Sequence, residues 1–136
     1  MVPKRARKRV IEKSNYRIYL QKAEEFYETM HQAKDRNNWN AVGLNGVHCT
    51  ISSNDALLVF YAGIRSASED HNVAVELLSS SVKFPEVKSK SQILRRILAK
   101  KNLIEYENRD FTEKEALDII KLVDRFYGWV KEKLRE

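Results

Sequence analysis

The stretch from Asn38 to Ala62 constrains the fold more than any other part of the chain. Read as one helix, its steps of three and four residues return to the same side, and that side must be buried. Polar residues interrupt this otherwise apolar stripe, and buried polar groups need hydrogen-bond partners. We therefore expect the other helices to surround this one. The predicted stripe consists of Leu44, His48, Ile51, Asp55, Leu58, Val59 and Ala62.

The composition favours helices elsewhere as well. The 136 residues include only four glycines and two prolines, and apolar residues recur at helical spacing. We predict an all-α fold, an up-and-down bundle of four to five helices, as a single domain over residues 12–136. No apolar run approaches the roughly 18 residues of a membrane span, so we expect a cytoplasmic protein without a membrane partner. Cys49 is the only cysteine, which excludes an internal disulfide.

Turn and capping signals divide the chain into helices. The first is predicted over residues 14–34, and a short polar connection makes it an antiparallel hairpin with the central helix. A third is expected over residues 68–80, because a serine followed by two acids is typical of a helix start. Residues 87–104 are predicted to form one continuous helix. The last helix opens at Thr112-Glu113-Lys114-Glu115, which is a capping box.

Positive charge is concentrated in two segments. Residues 1–11 are predicted to be a flexible basic arm, which holds five of the 25 basic residues and accounts for most of the net charge of +6. Residues 83–101 hold seven basic residues against one acid. Such segregated charge suits phosphate binding, and for the arm the alternative is a solubilising or poorly ordered terminus. The candidate phosphate-binding residues are Lys88, Lys90, Arg95, Arg96 and Lys100.

Arg65 and His71 are the candidate catalytic residues. An arginine can hold a phosphate and stabilise its growing charge, while a histidine can take a proton from a ribose hydroxyl at neutral pH. The alternative is that both are solvated residues near helix ends. A metal is not needed for this chemistry, and His31, His48 and His71 lack the spacing of paired metal ligands. We therefore predict neither a metal site nor a cofactor.

The polar residues inside the central stripe are interpreted as structural. His48 and Asp55 are seven residues apart, roughly 10 Å along a helix, so they cannot bond each other directly. We expect Asp55 to form a buried charge pair with Arg95 or Arg96. His48 is expected to be a buried histidine that hydrogen-bonds Ser52 or a tyrosine hydroxyl.

The chain resembles the HEPN superfamily of helical proteins. The resemblance rests on a small-residue helix with Val47-His48, Ile51 and Asp55-Ala56-Leu57-Leu58, followed by Asp70-His71, Leu77-Leu78, Tyr106 and the segment from Thr112 to Ala116. It implies a helical bundle that commonly dimerises. Many members are metal-independent ribonucleases, often toxins or defence effectors, with an arginine followed after four to six residues by a histidine. Arg65 and His71 have that spacing.

The function expected from the sequence is a HEPN-like domain that binds RNA or a nucleotide phosphate. If the domain is an enzyme, it is a metal-independent endoribonuclease. The resemblance implies a homodimer, and some members of the superfamily pair with a minimal nucleotidyltransferase. The alternative from another class is a non-catalytic helical module for dimerisation or protein interaction.

Overall fold

In the computed structural model, which describes residues 8–67 and 70–135, the first two helices form a hairpin. Helix α1 spans Tyr16–Asp35 and helix α2 spans Trp39–Ala62, and the two contact each other along their length. The three residues between them reverse the chain, as a short helix-to-helix connection does. The buried residues of α1 recur at helical spacing and so lie on one side of the helix, namely Tyr16, Ala23, Met30 and Ala33.

Helix α2 is the central helix, as predicted. Residues 52–59 are buried without interruption, so α2 is enclosed on several sides. A Cβ atom at Gly43 would lie 2.9 Å from the Phe111 ring, so this glycine allows the segment before the last helix to pass close to α2. The predicted stripe is wrong at Leu44, which is 40% exposed and so lies outside the buried face of α2.

The last helix, α6, spans Glu113–Lys133 and contacts α2. Its predicted capping box is confirmed. The Thr112 hydroxyl accepts from the Glu115 backbone N–H at 3.1 Å, and the Glu115 carboxylate accepts from the Thr112 N–H at 2.9 Å. Arg109 donates two further hydrogen bonds to the Glu115 carboxylate. The start of α6 is therefore fixed by side chains that satisfy its first backbone N–H groups.

Helix α3 spans His71–Ser81 and begins later than predicted. Asp70 caps it, because its carboxylate accepts from the Asn72 N–H at 2.9 Å. The predicted start at Ser68 lies outside the described residues. An aspartate is as good a cap as a serine, which explains why the helix can begin after Asp70.

The predicted single helix over residues 87–104 is wrong, because the chain forms two helices there. Helix α4 spans Val87–Leu98 and the short helix α5 spans Lys101–Tyr106. The Lys100 N–H bonds to the Ile97 carbonyl at 3.0 Å, which is the tighter spacing of a 3₁₀ turn. The change of direction brings Ile104 toward Gly43 of α2, so packing on the central helix accounts for the break.

Two short strands join the start of the described chain to the segment after α2. Strand β1, Lys8–Val10, pairs antiparallel with strand β2, Ile64–Ser66, and Arg9 lies opposite Arg65. The Ile11 N–H also donates to the Gly63 carbonyl at 2.8 Å. The prediction of a flexible arm over residues 1–11 is therefore wrong for residues 8–11. Residues 1–7 lie outside the described part of the chain.

The predicted all-α fold is confirmed, since the two three-residue strands form the only sheet within residues 8–67 and 70–135. The helices form a bundle around α2. In the part of the chain that the structure describes, no helix combines the length and apolar character required to span a membrane.

Candidate functional site

The turn at the end of α2 places Arg65. Gly63 ends the helix with a φ of 64°, in the left-handed region that a residue without a side chain adopts most readily. Its N–H bonds to the Val59 carbonyl at 3.0 Å, which closes the last turn. The chain then continues as β2, and Arg65 in its middle points back toward α2. Arg65 is thus held by a helix end on one side and by a strand pair on the other.

Arg65 forms an ion pair with Asp55 on α2. Its Nε donates to the Asp55 Oδ2 at 3.1 Å, and its guanidinium carbon lies 5.1 Å from the centre of the Tyr19 ring. The Asp55 side chain is 7% exposed and the Arg65 side chain is 35% exposed. The prediction that Asp55 is buried against an arginine is confirmed, but Arg95 and Arg96 are the wrong partners. The path of the chain after Gly63 brings Arg65 to α2 instead.

Burial and charge act against each other in this ion pair. Burial raises the pKa of Asp55 to about 6, although the charge of Arg65 and the hydrogen bond from it work in the opposite direction. For Arg65, burial favours a lower pKa, but the Asp55 carboxylate outweighs it and the pKa is raised. The guanidinium therefore stays charged, while the carboxyl is close to its titration range at mildly acidic pH.

His71 is the first residue of α3, next to the capping Asp70. Partial burial and the positive charge of Lys101 lower its pKa below the usual value of 6.5, and the carboxylates of Asp70 and Glu105 oppose that shift only in part. The imidazole is therefore mainly neutral at pH 7. A neutral imidazole can accept a proton, as a general base must.

Arg65 and His71 line the same cavity. Its volume is about 170 Å³, slightly more than the roughly 150 Å³ that holds a benzene molecule in an engineered protein cavity. It can take a phosphate group or one small ring, but not a whole nucleotide. The structure thus brings the two predicted catalytic residues together. The described lining residues are Ile51, Asn54, Asp55, Arg65, Ser66, Asp70, His71, Ala74, Leu94, Leu98 and Lys101.

Asn54 gives the cavity wall an unused acceptor. The residue is 2% exposed, and its Oδ1 atom has no hydrogen-bond partner within the described structure. A buried polar atom without a partner costs free energy, so Asn54 is a point of the cavity wall where hydrogen bonding is incomplete.

A wider groove adjoins the cavity, since the two share Asp70, His71 and Lys101. The groove has a volume of about 450 Å³, within the range of small-molecule sites. Lys101 at the junction is paired with Glu105 at 3.9 Å. The remaining described lining residues of the groove are Asn72, Arg95, Ala99, Asn102 and Tyr106, and we call this set with the three shared residues the α3–α5 groove.

The predicted basic cluster is divided between different surfaces. Arg95 lines the α3–α5 groove and donates to the Asn72 Oδ1 at 3.0 Å. Arg96 and Lys100 lie elsewhere, in a depression that α4 shares with α6. Lys88 and Lys90 are not among the described residues that line the cavity or the groove. The sequence segment is basic throughout, but the residues of a helix point to several sides, so only one of the five predicted residues reaches the site.

The prediction for His48 is wrong, whereas Ser52 is buried as predicted. The His48 side chain is 38% exposed, its Nε2 lies 3.8 Å from the Glu105 Oε1, and its ring lies against Phe26 with 5.5 Å between ring centres. It faces the same poorly covered part of α2 as Leu44. Helical periodicity predicts which residues lie on the same side of a helix. It does not predict how much of that side other helices cover.

Several residues of the site were not predicted. Lys101 lies within the predicted basic segment and could have been found from its charge alone. Asn54 and Asn72 give no comparable signal, because single asparagines in helices are common. Tyr106 is 75% exposed, and nothing in the sequence pattern separates it from a tyrosine of the core.

Within residues 8–67 and 70–135, no group of three or more histidine, cysteine, aspartate or glutamate side chains is arranged to hold a metal ion. We assign no residue to a cofactor. Comparisons with protein-family models, with curated proteins and with solved structures give no match for this chain. The function is therefore inferred from the chemistry of the cavity and the groove.

Proposed function

We propose that this chain is a HEPN-like domain that binds RNA or a nucleotide phosphate at the Arg65–His71 cavity and cleaves RNA there without a metal. One observation carries the proposal: a charged arginine and a mainly neutral histidine line one cavity of phosphate size. The sequence resemblance and the all-α bundle support the proposal more weakly, because a fold alone does not determine a function.

Arg65 binds the phosphate in this proposal. Asp55 accepts from its Nε and Tyr19 is a second hydrogen-bond partner of the guanidinium, so a phosphate would bind the N–H donors that these two residues leave. The bond to Asp55 and the Tyr19 ring hold the guanidinium in place before a ligand arrives. Lys101 lies where the cavity meets the α3–α5 groove, and it adds a second positive charge near the phosphate.

His71 acts as the general base. Its imidazole takes the proton of the ribose 2′-hydroxyl, and the 2′-oxygen then forms a bond to phosphorus. The bond from phosphorus to the 5′-oxygen of the next nucleotide breaks, and that oxygen takes a proton from the imidazolium. The products are a 2′,3′-cyclic phosphate and a 5′-hydroxyl. Arg65 stabilises the negative charge that grows on the phosphate oxygens in the transition state.

We also propose, from the resemblance alone, that the domain works in the cytoplasm as a homodimer of the toxin or defence type. A minimal nucleotidyltransferase is the proposed second protein partner. Neither partner is needed for the chemistry assigned to Arg65 and His71.

The test measures RNA binding and RNA cleavage by separate variants. His71→Ala should lower the cleavage rate by about 10²–10⁴, the usual contribution of a general acid or base, and should leave RNA binding nearly unchanged. Arg65→Ala should weaken both. Arg65→Lys, which keeps the charge and the fold, should bind RNA better than Arg65→Ala but cleave it poorly, because lysine lacks the planar fork. Arg125→Ala is the matched control, since Arg125 is exposed and is not among the described lining residues of the site.

Binding should also weaken with salt. For single strands the slope of log K against log salt is about −0.7 for each phosphate that is neutralised. Equal RNA decay by wild type and His71→Ala, purified in parallel, would refute the assigned cleavage. If RNA binding were absent at low salt as well, the interaction module would be the better interpretation.

A further inference from the structure

The α3–α5 groove has the size and the lining of a site for a nucleobase. Its volume of about 450 Å³ exceeds that of the adjoining cavity, which takes only a phosphate or one small ring. Because His71 and Lys101 line both, a ligand bound at the cavity continues naturally into the groove. The base of the nucleotide whose phosphate is bound is the nearest part of an RNA chain that is large enough to occupy the groove.

Tyr106 offers the flat surface that a base requires. It is the last residue of α5 and is 75% exposed, so most of its ring is open to water. Within the described structure its ring makes no aromatic or cation–π contact, unlike those of Tyr19, Tyr27 and Tyr127. An exposed aromatic ring in a groove beside positive charges is the usual stacking platform of proteins that bind single strands.

The polar side chains of the groove can bind the edge of a base. Arg95 and Asn72 hold each other at 3.0 Å, which fixes both at the wall of the groove. Asn102 is exposed on α5, one turn before Tyr106. Amide side chains carry donors and an acceptor together, as do the edges of unpaired bases.

We propose that the groove binds one unpaired base of single-stranded RNA, stacked on Tyr106, next to the phosphate held at the Arg65–His71 cavity. This inference rests on the proposed function, and it adds that the ligand is single-stranded. In a duplex the base would already be stacked and paired, and its face would not be open to Tyr106.

The experiment measures the affinity of the 136-residue chain for a short labelled single-stranded oligoribonucleotide at low salt. Tyr106→Leu should reduce the affinity by about 5- to 150-fold, the loss usual for one stacked base, while Tyr106→Phe should keep it. A second oligoribonucleotide lacks the base at one position. Wild type should bind it less tightly by the same factor, and Tyr106→Leu should not distinguish the two oligoribonucleotides. Ile18→Ala is the control for loss of an exposed apolar side chain outside the groove.

Two results would overturn the inference, and they differ in what they say of the proposed function. If Arg65→Ala weakens RNA binding but Tyr106→Leu does not, the base lies elsewhere and the proposed function stands. If wild type binds no RNA at all, both are wrong. Equal affinity for a duplex of the same sequence would also overturn the inference, because a paired base cannot stack on Tyr106.

Discussion

Arg9 and Arg65 lie directly opposite each other in the two-stranded sheet, so their side chains leave the same face of it. Like charges in this position repel each other. Asp55 neutralises Arg65, but no ion pair within the described residues neutralises Arg9. An anion bound beside Arg65 would relieve the repulsion. The sheet therefore places a second positive charge, that of Arg9, opposite the arginine of the proposed phosphate site.

We expect Arg9→Ala to weaken RNA binding without destabilising the fold. The loss of one phosphate contact should reduce the magnitude of the salt slope by about 0.7. The melting temperature should stay the same or rise slightly, since a repulsive pair is removed. RNA titrations at several salt concentrations and thermal melts measure the two effects. Arg125→Ala is again the control, and an identical loss of affinity in that variant would show that only the total charge matters.

Asp55→Ala should destabilise the protein. The substitution removes the carboxylate that accepts from Arg65 and leaves an empty space in its place. We expect it to lower the free energy of unfolding by about 1–3 kcal/mol. The upper end of the range for buried pairs does not apply, because the Arg65 side chain is 35% exposed and water can replace part of the bond. Urea unfolding of the variant measures the cost. Glu132→Ala, at a side chain that is 66% exposed, is the control, and an equally small effect in both would show that the ion pair contributes little.

The pKa of Asp55 predicts a pH dependence of stability. Burial raises this pKa from 3.8 to about 6, so the folded state binds the proton more tightly than the unfolded state. The stabilisation is complete below about pH 4 and is lost as the pH rises to about 6. The melting temperature of wild type relative to Asp55→Asn should therefore fall over that interval. A difference that rises with pH would mean that the charge of Arg65 outweighs burial.

Cleavage should depend on the neutral form of His71. The lowered pKa of this histidine predicts a rate that rises with pH, with a midpoint below 6.5, and then levels off. The rising limb should persist in Asp55→Asn, which removes a neighbouring carboxyl of the cavity whose pKa of about 6 lies in the same range. A midpoint above 6.5 would mean that the bound phosphate or a nearby carboxylate holds the imidazolium form.

Substitutions at Gly63 should follow a fixed order. A Cβ atom there would lie 3.5 Å from the Ile11 carbonyl oxygen, an ordinary contact, so the cost comes from the left-handed backbone and not from a clash. We expect Gly63→Ala to cost about 1–2 kcal/mol and Gly63→Asn less, because asparagine tolerates this conformation better. Chemical denaturation gives the order. Equal stability of all three proteins would show that the turn relaxes to another conformation.

The central helix and the capping box could be predicted from the sequence because their signals are local. Residues 38–62 carry a long helical pattern, and Thr112 and Glu115 are three residues apart on one turn. The strand pair could not be predicted, because Lys8–Val10 is short and exposed and depends on a partner more than 50 residues away. Its pairing is a tertiary contact without a local pattern.

Only the part of the site that depends on residues close in sequence could be predicted. Arg65 and His71 are close in sequence, and their shared cavity follows from one turn and one helix start. The partner of Asp55 depends on the direction of the chain after Gly63, which a single helix pattern does not give. The break between α4 and α5, which brings Lys101 and Tyr106 to the groove, depends on how residues near Ile104 pack on α2.

The exposed strand β1 can carry a single chemical label. Cys49 is the only cysteine in the sequence, it is fully buried, and burial raises the pKa of its thiol to about 12, so alkylating reagents will react with it very slowly. Val10 is 87% exposed and is paired with Ile64, one residue before Arg65. A fluorophore attached to Val10→Cys would therefore be the only label on the described chain, and it would leave the sheet on the face opposite to Arg9 and Arg65, outside the cavity.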